Sequence, residues 1–556
     1  MESKALLRKE LREAVARAQE AGRLPRLFVE EIEIETPKDR AHGDLATNLA
    51  LVLAKAAKMP PRKVAEIIVA ELTPTEPILR VETAGPGFIN FFFPPSWREE
   101  AIRRAIAQGA DYGRTAVLAG QRIQVEFVSA NPVGPLNVVN ARAGALGDSL
   151  ARILAFAGAV VEREYYINDH GVQVSLLGRS VEARCRELRG ETVVFPPEGY
   201  QGAYVYDLAR EFLAEAPADF WTRPEEERVE ICREFALARI LARQRADLES
   251  YGIRYDRWFS ERDLHRSGEV QRVFQSLAAA GHVYEEDGAK WLRTTSFGDD
   301  KNRVLLTADG RPTYLLADIA YHLDKLARGY DRIIDIWGPD HHGHVIRMKA
   351  ALAAAGADPG RLEVLIAQQV NLLREGRPVK MSKRAGEFVT LRELVDEVGN
   401  DAARFYFLLR SAESHLDFDL SLAVACSNEN PVYYVQYAHA RVASIMRQAA
   451  AEGMTEDATL LRFPAGKLGL PEEMDLADRV AAFPEVAAMA ALWREPHRLT
   501  GYLMDLAGAF HAYYNQHRVL TEDRTLAHAR LALVRAVQIT IANGLNLLGV
   551  SAPERM

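Results

Sequence analysis

Residues 123–158 read IQVEFVSANPVGPLNVVNARAGALGDSLARILAFAG. Ile123, Val125 and Phe127 alternate with Gln124 and Glu126, which is strand spacing. Pro132, Gly134 and Pro135 break that pattern. Leu146, Leu150, Ile153, Leu154 and Ala157 then recur at helix spacing until Gly158. A strand, a Gly/Pro loop and a helix in this order open a doubly wound nucleotide-binding fold. Ligands of such sheets lie just outside the carboxyl ends of the strands, where Glu126, Ser129, Ala130 and Asn131 fall. Asn137 and Asn140 fall near the first turn of the helix. A helix N-terminus offers unpaired N–H groups and a partial positive charge, which suits a triphosphate. Asparagine also caps helices, so the two residues either cap this one or reach a ligand.

Working outward, the chain divides into an α/β whole with three parts. Residues 1–112 are expected to form an N-terminal α+β unit, with a strand at Phe88-Ile89-Asn90-Phe91-Phe92-Phe93. Residues 113–420 hold the Rossmann-like parallel sheet, with a largely helical insertion near 190–290. Residues 421–556 turn all-helical, with an apolar stripe from Leu526 through Leu533, Val537 and Ile541 to Leu548.

Three further stretches carry chemistry. Lys380-Met381-Ser382-Lys383-Arg384 sits among turn residues Gly376, Pro378 and Gly386. Lysine is a mobile point charge, suited to a departing polyphosphate. Tyr314 and Asp318 are four apart and share a helix face. Trp337-Gly338-Pro339-Asp340-His341-His342 follows an apolar strand run, and its glycine permits close backbone approach. The paired histidines have no cysteine or carboxylate at ligand spacing, so no metal site is expected there.

VKMSKRAGEFVTLRELVDEVGNDAAR (379–404), DKNRVLLTADGRPTYLLADIAYH (300–322) and the frame SANP-x-GP…AR…GD (129–148) together resemble the arginyl-tRNA synthetases of class I. The resemblance runs over nearly the whole chain. It implies that arginine and ATP give arginyl-adenylate, and that the arginyl group then moves to the 3′ end of tRNA(Arg). It implies an arginine site of Glu126, Ser129, Asn131, Tyr314 and Asp318. It implies an ATP site of Gly134, Pro135, Asn137, Asn140, Gly338, Asp340, Met381 and Lys383. Lys380 and Lys383 would hold the leaving pyrophosphate, Asn137 and Asn140 would donate to phosphate oxygens, and Mg2+ would accompany ATP. The chain departs from the family in one place: Asn137 and Asn140 stand where histidines are usual, and Val139 where glycine is usual.

The last part resembles the helical anticodon-binding domain of class I synthetases. Tyr434, Tyr437 and Arg441 are read on one helical face. Aromatic rings beside a cation are what unstacked RNA bases need, though tyrosines packed within a bundle give the same spacing. By resemblance Tyr514 and Met556 lie near the anticodon, and Phe88 and Asn90 near the tRNA elbow. The altered signature leaves one alternative of another class, a non-catalytic tRNA-binding paralogue.

Composition agrees with a soluble globular chain: 48% hydrophobic and 26% charged residues. No apolar run approaches the roughly 20 residues of a membrane span. Cys185, Cys232 and Cys426 are scattered, which points to a reducing, cytoplasmic setting without disulfides or structural zinc. A net charge of −8 argues against a generic nucleic-acid coat but leaves room for a local basic surface. The family is usually monomeric, and a monomer is expected here.

Overall fold

The computed structural model describes residues 1–556 except 1, 28, 30, 31, 36, 38, 74–77, 380–388 and 455–456. Its central sheet has five parallel strands. Across the sheet they run Leu362–Ile366, Arg332–Trp337, Arg122–Glu126, Val160–Ile167 and Arg257–Ser260. The chain enters at the middle strand, builds one way to Ser260, and returns on the other side at Arg332. The winding direction therefore switches between Glu126 and Trp337, and a crevice opens at such a point. The middle strand is covered on both faces, so Gln124 is buried along with Ile123 and Val125. Helix Val138–Phe156 lies close on this strand because Gly147 has no side chain. A Cβ there would stand 2.1 Å from the Phe127 ring.

Within the segment near 190–290 the chain is helical up to Ser250 and again over Glu261–Arg266 and Glu269–Ala279, with short strands between and after. Helices Ala203–Glu215 and Glu225–Ser250 pack with Val172–Leu188 around Val181, Leu208, Phe212, Phe220 and Ala236. Arg257–Ser260 then supplies the outer strand of the main sheet, and Val283–Glu286 pairs with Ala289–Leu292 in a hairpin. Four residues between charged flanks are too short a run to show a period, which hid that strand.

The N-terminal unit has its own core, built from helices Glu2–Glu20, Leu49–Ala57 and Pro61–Glu71 on a three-stranded antiparallel sheet. That core ends at Phe93. Helix Pro95–Gln108 instead buries Ile102, Ala105 and Ile106 in the largest core, against helices Pro471–Trp493 and Arg524–Leu547. The same core runs without a break from Ile123 and Val125 of the sheet to Val537 and Leu545 of the last helix. One buried ion cluster spans the join. Asp148 accepts from Arg404 at 2.5 Å and Arg152 at 2.8 Å. Arg404 also donates to the carbonyls of Leu548 (3.0 Å) and Tyr251 (3.1 Å). Burial acts to raise the Asp148 carboxyl, but Arg404 and Arg152 outweigh it and hold its pKa below the usual range.

Candidate active site

The middle strand ends in a sharp turn. Val128 has φ +70° and Ser129 φ +38°, and a left-handed valine costs on the order of 1–3 kcal/mol. Surrounding groups hold it. Ser129 Oγ donates to Glu126 Oε1 at 2.8 Å and accepts from the Tyr166 amide at 3.1 Å. Tyr255 donates to the Phe127 carbonyl at 2.9 Å. Buried Gln244 accepts from Tyr165 at 3.0 Å and donates to the Gly134 carbonyl at 2.9 Å. The strained turn thus has a built support, as expected where a site must be held rather than relaxed. Asn131 comes out exposed at the rim, with Gly134 and Pro135 half-buried behind it.

Register then sets a row of acids side by side. Asp335 pairs with Glu126, and Glu126 with Glu164, so in-register side chains of three strands share one face. Helix Tyr314–Ala327 covers that row with cations. Fully buried Lys325 donates to Glu126 Oε2, and to Asp335 Oδ1 at 2.8 Å. His322 Nε2 lies 2.8 Å from Asp335 Oδ2. Tyr321 donates to Glu126 (2.9 Å) or Glu164 (2.6 Å), and Arg328 pairs with Glu164 at 2.9 Å. Burial pushes the Glu126 carboxyl up, only partly opposed by Lys325. Burial acts the same way on Asp335, but there Lys325 and His322 win and its pKa is lowered. Burial lowers and the Asp335 bond raises the His322 pKa, with the bond prevailing.

One turn toward the crevice on the same helix stands Asp318, 7% exposed, with Oδ2 2.7 Å from His344 Nε2. Tyr314 is 55% exposed at the helix start, and the Asp318 charge pushes its phenol up. Tyr314 and Asp318 thus stand on the helix that covers Glu126, with one difference from the arginine site that the resemblance implies. Both oxygens of Glu126 are already taken, by Ser129, Tyr321 and Lys325. Asp318 is no more exposed than Glu126, both at 7%, but among the described residues its Oδ1 has no partner. Lys325, Asp335, His322 and His344 were not singled out in the sequence. Polar residues at 314, 318, 322 and 325 on one helical stripe, and an acid inside the strand RIIDIW, are the signals that could have found them.

At the start of the Val138–Phe156 helix, Asn137 and Asn140 form a reciprocal capping box. Asn137 Oδ1 accepts from the amides of Val139 (2.9 Å) and Asn140 (3.1 Å), and Asn140 Oδ1 from the Asn137 amide (3.0 Å). The capping reading is thus realised, and a cap is worth about 1 kcal/mol. It uses only the carbonyl oxygens. Among the described residues the Nδ2 groups of both have no hydrogen-bond partner. Asn137 also bridges to Thr390, and the Leu391 amide donates to the Leu136 carbonyl at 2.8 Å. The segment that leaves the lysine signature therefore lies against this helix start. Lys380, Met381 and Lys383 fall outside the described residues. Across the switch point Gly338 ends its strand with an ordinary φ of −72°, and a Cβ there would meet nothing within 4 Å. Asp340 is exposed beside it.

Known proteins match this arrangement along the whole chain. Residues 5–93 match the family described as the arginyl tRNA synthetase N terminal domain, and 101–406 the class I (R) tRNA synthetase catalytic domain. Residues 435–556 match the DALR anticodon binding domain. A protein of Desulforamulus reducens named arginine–tRNA ligase is 47% identical, covering 100% of this chain and 99% of its own. One of the same name from Desulfosudis oleivorans is 50% identical over 98% of this chain and 99% of its own. The solved Thermus thermophilus arginyl-tRNA synthetase superposes with a TM-score of 0.76 at 26% identity, over 99% of this chain and 100% of that one. The chain belongs to the arginyl-tRNA synthetase family.

In the helical part, helix Pro431–Ala451 buries Val435, Val442 and Ile445, as its spacing predicts. The Arg441 guanidinium lies 4.7 Å from the ring centroids of both Tyr437 and Tyr514, so these three meet. Tyr434, half-buried like Tyr437, packs on His511 with ring centroids 4.6 Å apart, and Tyr437 stacks on the same ring at 5.7 Å. Met556 is exposed. In the N-terminal sheet Phe88 is half-buried, whereas Asn90 is only 4% exposed. Both lie on the central strand, Phe88 at its first position, and Phe88 is the member of that pair with surface to offer.

Proposed function

We infer that this chain activates L-arginine with ATP to arginyl-adenylate and transfers the arginyl group to the 3′ end of tRNA(Arg). One observation carries the substrate. Asp318 stands on the helix that covers the buried acids Glu126 and Asp335, which share a single lysine, Lys325, and among the described residues its Oδ1 has no partner. The surplus negative charge suits a planar cation, and a guanidinium meets a carboxylate best. Curated relatives named as ligases over the full chain favour this activity over a non-catalytic one.

In this reading Asp318 and Tyr314 receive the guanidinium, with Glu126 supporting them through Ser129. Asn131 meets the amino-acid end. The substrate carboxylate attacks the α-phosphate in line, so positioning and charge stabilisation do the work and no side-chain nucleophile is required. The Nδ2 groups of Asn137 and Asn140 donate to phosphate oxygens while their Oδ1 atoms cap the helix. Gly134 and Pro135 line the nucleotide, Gly338 and Asp340 seat the ribose, and Lys380, Met381 and Lys383 close the phosphate end. Magnesium enters as Mg–ATP, bound by phosphate oxygens, and no protein ligand is assigned to it. Phe88, Tyr434, Tyr437, Arg441, Tyr514 and Met556 face tRNA. Among the described residues no helix is long and apolar enough to cross a membrane, and we take the enzyme to act as a cytoplasmic monomer.

Charging of tRNA with labelled arginine, with and without ATP, tests the reading. ATP-dependent, arginine-selective charging is expected. A purified chain that binds tRNA but charges none with arginine, ATP and magnesium present would overturn it.

A further inference from the structure

His344 is the third residue of helix His342–Ala354 and is 8% exposed. Its Nε2 lies 2.7 Å from Asp318 Oδ2. One turn further on, Arg347 sets Nη1 3.4 Å from the other ring nitrogen, Nδ1. A guanidinium can only donate, so Nδ1 accepts and the ring hydrogen sits on Nε2, given to Asp318. The Trp337 ring, 5.3 Å away, and the Tyr314 ring, 6.1 Å away, flank the imidazole. The titratable and charged groups that face it are Asp318 and Tyr314 from the covering helix, Arg347 from its own, and His341 at 6.4 Å. His322, also on the covering helix, meets Asp318 only at its backbone carbonyl, at 2.8 Å, its other nitrogen being bound to Asp335. Among the described residues Asp318 Oδ1 has no partner.

We propose that His344 is a positioning residue that sets arginine recognition: as a neutral donor it fixes one oxygen of Asp318 and presents the other to the substrate guanidinium. The proposal rests on the reading of Asp318 as the guanidinium partner. It has a consequence in charge. Arginine stays cationic at all working pH. A protonated His344 would set a second cation against the same carboxylate, beside Arg347. Substrate binding therefore favours the neutral imidazole over the imidazolium, and arginine affinity is lower wherever the ring is protonated.

Aminoacylation kinetics of the full-length enzyme between about pH 6 and pH 8 test this. In the wild type the arginine KM should rise toward low pH, while the ATP KM and kcat change less. His344→Gln keeps an amide donor and cannot ionise, so it should hold the high-pH arginine KM within about threefold and flatten the profile. His344→Phe lacks the donor and should raise the arginine KM roughly 10-fold or more at every pH, with the ATP KM within about twofold. A wild-type arginine KM that is flat with pH overturns the proposal. So does a slope that survives in His344→Gln, since it would belong to another group. A His344→Phe enzyme with ordinary arginine KM also overturns it. If His344→Phe does not fold, the wild-type and His344→Gln profiles still decide. Asp318→Asn separates the two readings. Should it use arginine normally, the pocket assignment itself fails; should it lose arginine while His344→Phe does not, only the role of His344 fails.

Discussion

Two buried charge clusters in this molecule have opposite balances. At the join between the sheet and the helical part, one carboxylate, Asp148, faces Arg152, Arg163 and Arg404. Arg404 gives further donors to fixed carbonyls. In the crevice, the four acids Glu126, Glu164, Asp318 and Asp335 face three permanent cations, Lys325, Arg328 and Arg257. In the first cluster both oxygens of the carboxylate are met by arginines of the chain, and Arg404, its innermost cation, is fully buried. The second carries surplus negative charge and ends at Asp318, beside the exposed Tyr314. Buried charge that closes on itself joins parts; buried charge left one partner short, next to open space, waits for a ligand.

Removing Lys325 should have the largest effect. Lys325→Met leaves Glu126 and Asp335 buried without their cation, a loss of roughly 3–5 kcal/mol, read as a fall in the denaturant midpoint. A variant as stable as the wild type would show that the acids are protonated and the cluster was never ionic. Asp318→Asn should leave stability nearly unchanged and raise the arginine KM about 150-fold, near 3 kcal/mol, with ATP kinetics little altered. An equal rise in both constants would merge the two clusters into one structural role.

Asp148→Asn should do the reverse, costing about 2 kcal/mol of stability while the folded fraction keeps its arginine KM. The pH dependence of that cost has a defined sign. The Asp148 carboxyl is depressed in the fold, so its contribution is present above the ordinary aspartate range and lost as pH falls through the depressed value. The gap between wild type and variant should therefore close in acid, below about pH 4. His322, whose pKa is raised, contributes in the opposite sense: stability present below the ordinary histidine range, lost as pH rises through the raised value. His322→Gln should lose most against the wild type on the acid side of neutrality. A gap that widened with pH would assign the charge elsewhere.

The smallest effect is expected at the asparagines. Asn137→Asp keeps the capping oxygen and removes the amide donor. It should leave the melting temperature within a few degrees and slow adenylate formation about tenfold or more. Unchanged adenylation would reduce Asn137 to a cap, with the helix N–H groups alone meeting the phosphates.

Much of this was legible in the sequence because short-range patterns carry it. Alternation from Ile123 to Phe127, the break at Pro132 and the helix period to Ala157 place the first strand, turn and helix. The Tyr314/Asp318 pair follows from helix geometry alone. What stayed hidden depends on register and distant pairing. Glu126, Asp335 and Glu164 are more than two hundred residues apart at the extremes, and only the strand order sets them in a row. The strand at Arg257–Ser260 is too short for a period, and the ring of His511, some seventy residues away in the chain, packs on both Tyr434 and Tyr437. For Asn137 the two readings were posed as rivals, yet an amide has an oxygen and a nitrogen and the cap takes only the oxygen.

The unbroken core from the sheet to the last helix carries a practical consequence. Ser149, midway along the helix that begins beside Asn137, gives its hydroxyl to the Leu548 carbonyl at 3.1 Å, eight residues from the chain's end. A trimmed catalytic fragment ending near residue 420 would be left with the inner faces of Val138–Phe156 and Pro95–Gln108 bare to water. It would aggregate rather than serve as a smaller enzyme. The tail, in this molecule, is part of the keel.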